Sequence, residues 1–542
     1  MVLLWLEATA RDTLTRELGQ MAFSWSDYQQ AVFQFLETTK QNLVIEAVAG
    51  SGKSTTILEA ARRVTGSVGI IAFNKAIAVE LEGKIQKAGM VSSQAKTFHS
   101  AGNGAINSYL KGNGKKRAEI DDKKVNKIVD EICVKRPDIA EFGAFIEAAV
   151  KMAKNLAFGV AGGPAMDDMN AWNHMIYHYS IDEKLPDNVE GRLEDKAIPA
   201  AIRVLKKSNT DLSSIDFSDM VYLPLVHNMR VWGYDNLMVD EAQDLNLSRM
   251  LLAKKMIRRG GRFIFVGDPR QNIYGFTGAM HGALDIIKRD FRCHTLPLSV
   301  TYRSAKKIVA YAHRVVSHIQ AAPNAPEGEV RFIGGDEFNA TELLPTDAIL
   351  CRVNAPMVTL AFSLIRRGIA CKIEGREIGA GLVALVSKWK VKKLDTLKDR
   401  LSTYRDREVE KAMAKDQEER ADAITDKVNT LLVLIERAES LKLDVNGLKT
   451  MIEDMFADDV TKSGILTLCS YHKSKGREFP RVFRLDHFKH CPSRFARQEH
   501  QLLAEHNLDY VSVTRAMTTL VEVDQGSETL PKQEKAAEKV AA

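Results

Sequence analysis

The run NLVIEAVAGSGKSTTILEAARRV (42–64) constrains the fold more than any other part of this chain. A β-branched stretch leads into a glycine-bearing loop, and Ile57, Leu58, Ala61 and Val64 then recur at helical spacing. The loop follows G-x-x-x-x-G-K-[ST], with Ala47 standing at the first glycine position. Glycine at 50 and 52 lets backbone N–H groups turn inward around phosphates, and the helix that follows adds its dipole. The expected cradle is therefore Ala49, Gly50, Ser51, Gly52, Lys53, Ser54 and Thr55. Within it Lys53 reaches the β- and γ-phosphates, and the Ser54 hydroxyl is a ligand for magnesium.

A phosphate loop needs a carboxylate strand, and NLMVDEAQD (236–244) supplies one. Asp240 ends an apolar run, where a hard oxygen donor suits Mg2+ or its water shell. Glu241 beside it can orient an attacking water or accept its proton. Together the two motifs point to NTP hydrolysis. Two arginines beside apolar stretches, Arg303 in LSVTYRSAKKI (298–308) and Arg515 in LDYVSVTRAMTTL (508–520), could stabilise transition-state charge. Taken alone, either reads more simply as a surface salt-bridge residue.

A third loop is unusual in its mixture. GDPRQNIYGFTGA (267–279) follows the strand-like RFIFV (262–266) and combines Asp268 and Gln271, suited to phosphates, with Tyr274 and Phe276, suited to stacking. The plain alternative is a turn whose aromatics return to the core.

Composition narrows the class. The chain has 542 residues, 45% hydrophobic and 27% charged, as in ordinary multidomain globular proteins. No apolar run approaches the roughly 20 residues of a membrane span, so no membrane partner is expected. MVLLWLEA lacks a basic n-region and makes a poor signal peptide. The first twenty residues are an extension that need not be native, because Met21 offers an alternative start. The six cysteines form no CxxC pair, which argues for reduced thiols and against a zinc ribbon or iron–sulfur cluster. His487, His490 and Cys491 lack a fourth ligand nearby and read as a polar loop. A net charge of +6 argues only weakly for nucleic acid, and KKMIRRGGR (254–262) and KWKVKK (388–393) are explained by solvated faces.

In this order, the motifs resemble the UvrD/PcrA/Rep branch of superfamily 1 helicases, together with F-box DNA helicase and phage-type relatives. The resemblance runs from about Ser26 to about Val523. It implies that SDYQQAV (26–32) is a Q motif, with Gln29 reading the adenine edge and Gln30 as the alternative. IAFNKAIAVEL (71–81) and KTFHS (96–100) resemble motifs Ia and Ib, which implies DNA contacts at Phe73, Asn74, Thr97 and His99. TYRS (301–304) resembles motif IV, implying that Tyr302 stacks on adenine and Arg303 meets the γ-phosphate. TLCSYHKSKGREF (467–479) resembles motif V, with His472 and Lys475 facing DNA and Glu478 the ribose. YVSVTRA (510–516) resembles motif VI and makes Arg515 a second arginine finger. GDPRQNIYGFTGA is then motif III: Gln271 senses the γ-phosphate while Tyr274 and Phe276 form a base platform, worth about 1–3 kcal/mol per base. The family more often has Trp-Arg where this chain has Phe276-Thr277.

The fold class implied is α/β, two RecA-like P-loop cores with parallel sheets, each carrying a mainly helical insertion. The expected boundaries are 22–102 and 200–295 for core 1A, 103–199 for insertion 1B, and 296–380 and 461–524 for core 2A. Residues 381–460 would be a reduced 2B-like insertion, reading either as a helical spacer or as a duplex contact through Lys388, Trp389 and Lys390. Residues 525–542 would be a disordered tail. The function implied is an ATP- and magnesium-dependent DNA helicase or translocase, moving 3′ to 5′. It would act as a cytoplasmic monomer on single strands and single/double-strand junctions in replication, repair or recombination, in a bacterium or a phage-infected host. Two alternatives stand beside it: a translocase that strips proteins from single strands, and a nucleic-acid-sensing subunit of an anti-phage defence system.

Overall fold

The computed structural model describes residues 25–525, except 180, 187–192, 274–281, 336, 368, 370, 415–416 and 457–464. The N-terminal extension, nearly all of the tail, and the Tyr274 and Phe276 platform lie outside the described residues.

The strands in chain order are β1 (Leu43–Ala47), β2 (Val68–Ile71), β3 (Ser93–Lys96), β4 (Glu119–Ile120), β5 (Ser214–Ile215), β6 (Tyr234–Val239), β7 (Ile257–Gly267) and β8 (His294–Leu298). They continue with β9 (Val300–Thr301), β10 (Gln320–Ala321), β11 (Glu329–Gly334), β12 (Ala348–Cys351), β13 (Cys371–Ile373), β14 (Leu466–Ser470), β15 (Phe479–Leu485) and β16 (Ala516–Asp524). Two six-stranded sheets result, ordered β3-β2-β6-β7-β1-β8 and β11-β16-β15-β12-β14-β13, with every pairing parallel. Helices cover parallel strands on both faces, which is why these strands read as continuous apolar runs rather than alternating ones. Val44, Ile45, Ile70, Leu237, Met238 and Ile264 are all fully buried, each contributing about 1.5–3 kcal/mol.

The first sheet reaches Leu298 and so runs past the expected boundary at 295, because His294–Leu298 pairs in register with Leu43–Ala47. Between β3 and β6 lies a helical layer built on Phe142, Phe145, Trp172 and Val204. Its core takes in the helix Ile198–Thr210, beyond the expected boundary at 199: Ile198, Ala201, Val204 and Leu205 form a buried stripe against that layer. Lys154 ties it to the segment before β6, with ion pairs to Asp216 (2.7 Å) and Asp219 (2.6 Å). Lys124 also reaches Asp219 (2.8 Å).

Helices Arg376–Ser387, Leu394–Met413, Glu418–Ser440 and Val445–Met455 follow β13. Leu397, Leu431 and Leu448 share one apolar core with Ile349, Leu468 and Val521 of the second sheet. Trp389 meets Tyr404 edge-on (5.6 Å), and the Lys388 ammonium lies over both rings.

Candidate nucleotide cleft and nucleic-acid interface

In a parallel sheet, the loops leaving the C-terminal ends of the strands form the ligand crevice. Five of the expected motifs fall on that edge of the first sheet. The phosphate loop leaves β1, the carboxylates leave β6, Asp268 and Gln271 leave β7, Phe73 and Asn74 leave β2, and Thr97 and His99 leave β3. Strand order therefore sets the phosphate loop toward one end of the row and the Phe73 and His99 loops at the other, with β6 and β7 between.

Gly50 and Gly52 have φ of +71° and +76°, a region that favours glycine. A Cβ on Gly50 would also lie 2.6 Å from Arg303 Cβ, so any side chain there would collide with the second core. The Ser51 hydroxyl is buried with no hydrogen-bond partner among the described residues, an open polar group that a phosphate oxygen would satisfy. The cradle fits a polyphosphate, and the Ser54 hydroxyl and Asp240 carboxylate are hard oxygen donors of the type magnesium takes.

The carboxylates below the loop carry opposite pressures. Lys53 Nζ pairs with Glu241 Oε1 at 2.8 Å. Burial alone would raise the Glu241 pKa, but the Lys53 and Lys475 charges outweigh it and hold the group ionised. Asp240 moves the other way, raised first by burial and then by the charge of Glu241. Glu241 itself sits at φ +51°, a strained conformation for a side-chain-bearing residue at the tip of the β6 loop. Gln243 bridges the loops: its Nε2 donates to Glu241, while its Oε1 accepts from the Asp268 N–H (3.0 Å). Gln271 Nε2 in turn donates to Asp268 (2.7 Å), so the β6 and β7 loops form one hydrogen-bonded unit.

The second core closes over this unit. The Tyr302 N–H donates to the Gly50 carbonyl (2.9 Å), and the Tyr302 hydroxyl approaches Gln29 Oε1 (3.4 Å). Gln29 is buried and also donates to Thr56 (2.9 Å), whereas Gln30 is exposed and donates to the Trp25 carbonyl. Of the two glutamines, Gln29 faces the cleft. Arg303 pairs with Glu478 (2.7 Å). Arg515 is almost fully buried and donates to the carbonyls of Val511 (2.9 Å) and Arg477 (3.0 Å). Burial, then the Arg303 charge, pushes its pKa down to about 9.

On the far part of the edge, Phe73 is 43% exposed and Phe217 is 54% exposed, with the Phe217 ring edge-on to His99 at 6.0 Å. Asn74 and Thr97 have local duties, each capping the helix that it precedes by accepting from Ile77 N–H (2.9 Å) and Ser100 N–H (3.1 Å). Burial, then Arg249, lowers the His99 pKa to about 4, so its ring is neutral.

Two family models match the chain. The UvrD/REP helicase N-terminal domain covers residues 26–292, and the UvrD-like helicase C-terminal domain covers residues 380–522. The chain belongs to the UvrD/PcrA/Rep branch of superfamily 1 helicases. Among UvrD-like relatives, it is 34% identical over 113 residues to the ATP-dependent DNA helicase Rep of Escherichia coli (strain K12), covering 19% of this chain and 17% of that protein. It is 32% identical over 158 residues to the ATP-dependent DNA helicase PcrA of Leuconostoc citreum, covering 28% and 20%. A probable DNA helicase II homolog of Mycoplasma genitalium aligns at 26% identity over 310 residues, covering 51% and 41%. The aligned stretches thus span less than half of these relatives' own length.

One residue of this UvrD-like chain, Lys475, has a partner within the protein where the motif resemblance implied DNA. Lys475, expected on DNA, is 7% exposed and bonds Asp244 (2.6 Å) and the Gln271 carbonyl (2.7 Å). Its charge is needed there because Asp244 is itself buried and ionisable. His472 is half-buried, its pKa lowered to about 3 by burial and then by Arg352 and Lys475. Tyr510 was missed altogether. It lies in YVSVTRA, and its hydroxyl accepts the Ala49 N–H (2.8 Å); its position five residues before Arg515 gave no chemical signal of its own.

Proposed function

We propose that this chain is an ATP-driven motor on single-stranded DNA, moving 3′ to 5′ and separating duplex at single/double-strand junctions. One observation carries the reading: a single sheet edge holds the phosphate cradle toward one end and the Phe73 and His99 loops at the other, bridged by the hydrogen-bonded loops of β6 and β7. Lys53 and the inward-turned amides of Gly50 to Gly52 bind the phosphates of ATP, and Tyr302 and Gln29 hold the adenine end. Glu241, kept ionised by Lys53, orients the attacking water and takes its proton. Arg303 and Arg515 bring positive charge from the second core to the γ-phosphate side of the cleft. Magnesium, held by Ser54 and Asp240, supplies charge neutralisation at the phosphates when bound. Gln271, buried beside Asp268, is placed to register the phosphate and pass the change to the loop that follows.

Steady-state ATPase rates with and without single-stranded DNA or RNA, beside Lys53→Ala, test the proposal. DNA stimulation that is lost in the variant supports it, and tailed duplexes then give direction. Hydrolysis indifferent to nucleic acid would refute the motor and favour a sensing role. Translocation without duplex separation would favour the protein-stripping alternative.

A further inference from the structure

The helix Leu247–Lys255 follows directly on the catalytic carboxylates and carries Arg249 in its first turn. Only the backbone N–H of Arg249 is engaged locally, with Asn246. Its guanidinium is largely withdrawn from water, yet it has no hydrogen-bond or ion-pair partner among the described residues. A guanidinium does not escape this by losing its proton, so an unpaired one at a partly buried position is costly unless the working state supplies an anion.

The nearby carboxylates are already committed. Asp244 bonds Lys475, and Glu241 bonds Lys53. The anion must come from outside, and the surroundings say from which side. Arg249 lines a recess with Phe73 and His99 on one side and the carboxylates of Asp240, Glu241 and Asp244 on the other, at the ends of β2, β3 and β6. Arg249 is the cation on that lining, and Phe73 and His99 set the side from which a strand can reach it. The phosphate cradle leaves β1, three strands away from β2. His99 is neutral here and adds no competing cation, so it can serve as a hydrogen-bonding neighbour. Phe73, 43% exposed, also lines the recess and offers an aromatic face. An aromatic surface beside a single cation is the pairing by which single strands are held, base on ring and phosphate on charge.

We propose that Arg249 binds one backbone phosphate of the single strand in the recess of Phe73 and His99. The inference rests on the DNA-motor reading and adds to it a specific ligand, a phosphodiester, beside the carboxylates that drive hydrolysis. Arg249 is thereby the residue through which an occupied strand site is sensed next to Asp244.

Fluorescence anisotropy with a labelled oligo-dT, at a series of salt concentrations, tests this on the full chain. Arg249→Ala should weaken binding roughly 10-fold and reduce the slope of log K against log[salt] by about 0.7, the value for one phosphate on a single strand. Arg249→Lys should keep the slope. Oligo-dT with one neutral methylphosphonate linkage should show a single sensitive position in the wild type, and that position should lose its distinction in Arg249→Ala. A wild type that does not bind oligo-dT would overturn the motor reading itself. A wild type that binds, with Arg249→Ala giving the same slope, would overturn the assignment of Arg249 alone. So would a drop in thermal stability with the slope unchanged, since that is what a merely structural arginine gives.

Discussion

Tyr510 and Ala49 lie 461 residues apart in sequence and share a hydrogen bond of 2.8 Å, from the Ala49 N–H to the Tyr510 hydroxyl. Both are fully buried, and Asp268 is close enough to affect the same hydroxyl. One phenol from the second core thus touches the phosphate loop and the loop after β7 at once.

Tyr510→Phe keeps the ring and deletes that contact, leaving a buried N–H unsatisfied at a cost of about 1–3 kcal/mol. The expected result is a several-fold rise in KM for ATP with little change in secondary structure by circular dichroism. An unchanged KM and Tm would mean that the contact does not hold the closed cleft together.

Lys475 and Asp244 form a buried pair, and removing one partner should cost about 3–5 kcal/mol. Lys475→Met should lower the midpoint of urea unfolding accordingly, and adding Asp244→Leu should recover much of the loss. A double variant no more stable than the single one would refute the pairing argument.

Glu241→Gln keeps the size of the side chain and removes its basicity. Hydrolysis should fall by about 100- to 10,000-fold, the usual contribution of a positioned base. Binding of a fluorescent ATP analogue should persist, because Lys53 and the loop amides remain. Parallel loss of both would reassign Glu241 to ligand binding.

Burial, then Arg352 and Lys475, holds the His472 pKa at about 3, against about 6.5 in an unfolded chain. The unfolded chain takes up a proton that the folded one resists, so this contribution is fully present above about pH 6.5. It is lost as pH falls toward 3, by up to about 1.4 kcal/mol per unit. His472→Gln should therefore flatten the decline of Tm between about pH 6.5 and about pH 4. The same decline in wild type and variant would show that His472 is not the group responsible.

The sequence was most informative where chemistry is local. AVAGSGKST could be read because two glycines, a lysine and a hydroxyl act within one loop, and DEAQD because its acids end an apolar strand. Contacts made across the cleft were not legible. Lys475 looks like any basic residue in SYHKSKGREF, and only the folded chain shows it spent on Asp244. Domain limits are hard to read from sequence for a similar reason: His294–Leu298 is apolar enough for either sheet, and only its register with β1 assigns it to the first.

Strand order also sets a mechanical scale. From β1 to β3 there are four steps between neighbours, about 19 Å at the usual strand spacing. A hydrogen-bonded parallel sheet is stiff along that direction, so the edge works as a rigid bar. A phosphate lost at one end does not need a hinge or a refolding segment inside the first core to be felt at the other. In the proposed motor it needs only a small tilt of the loops that the bar already holds in line, which would leave the larger travel to the second core.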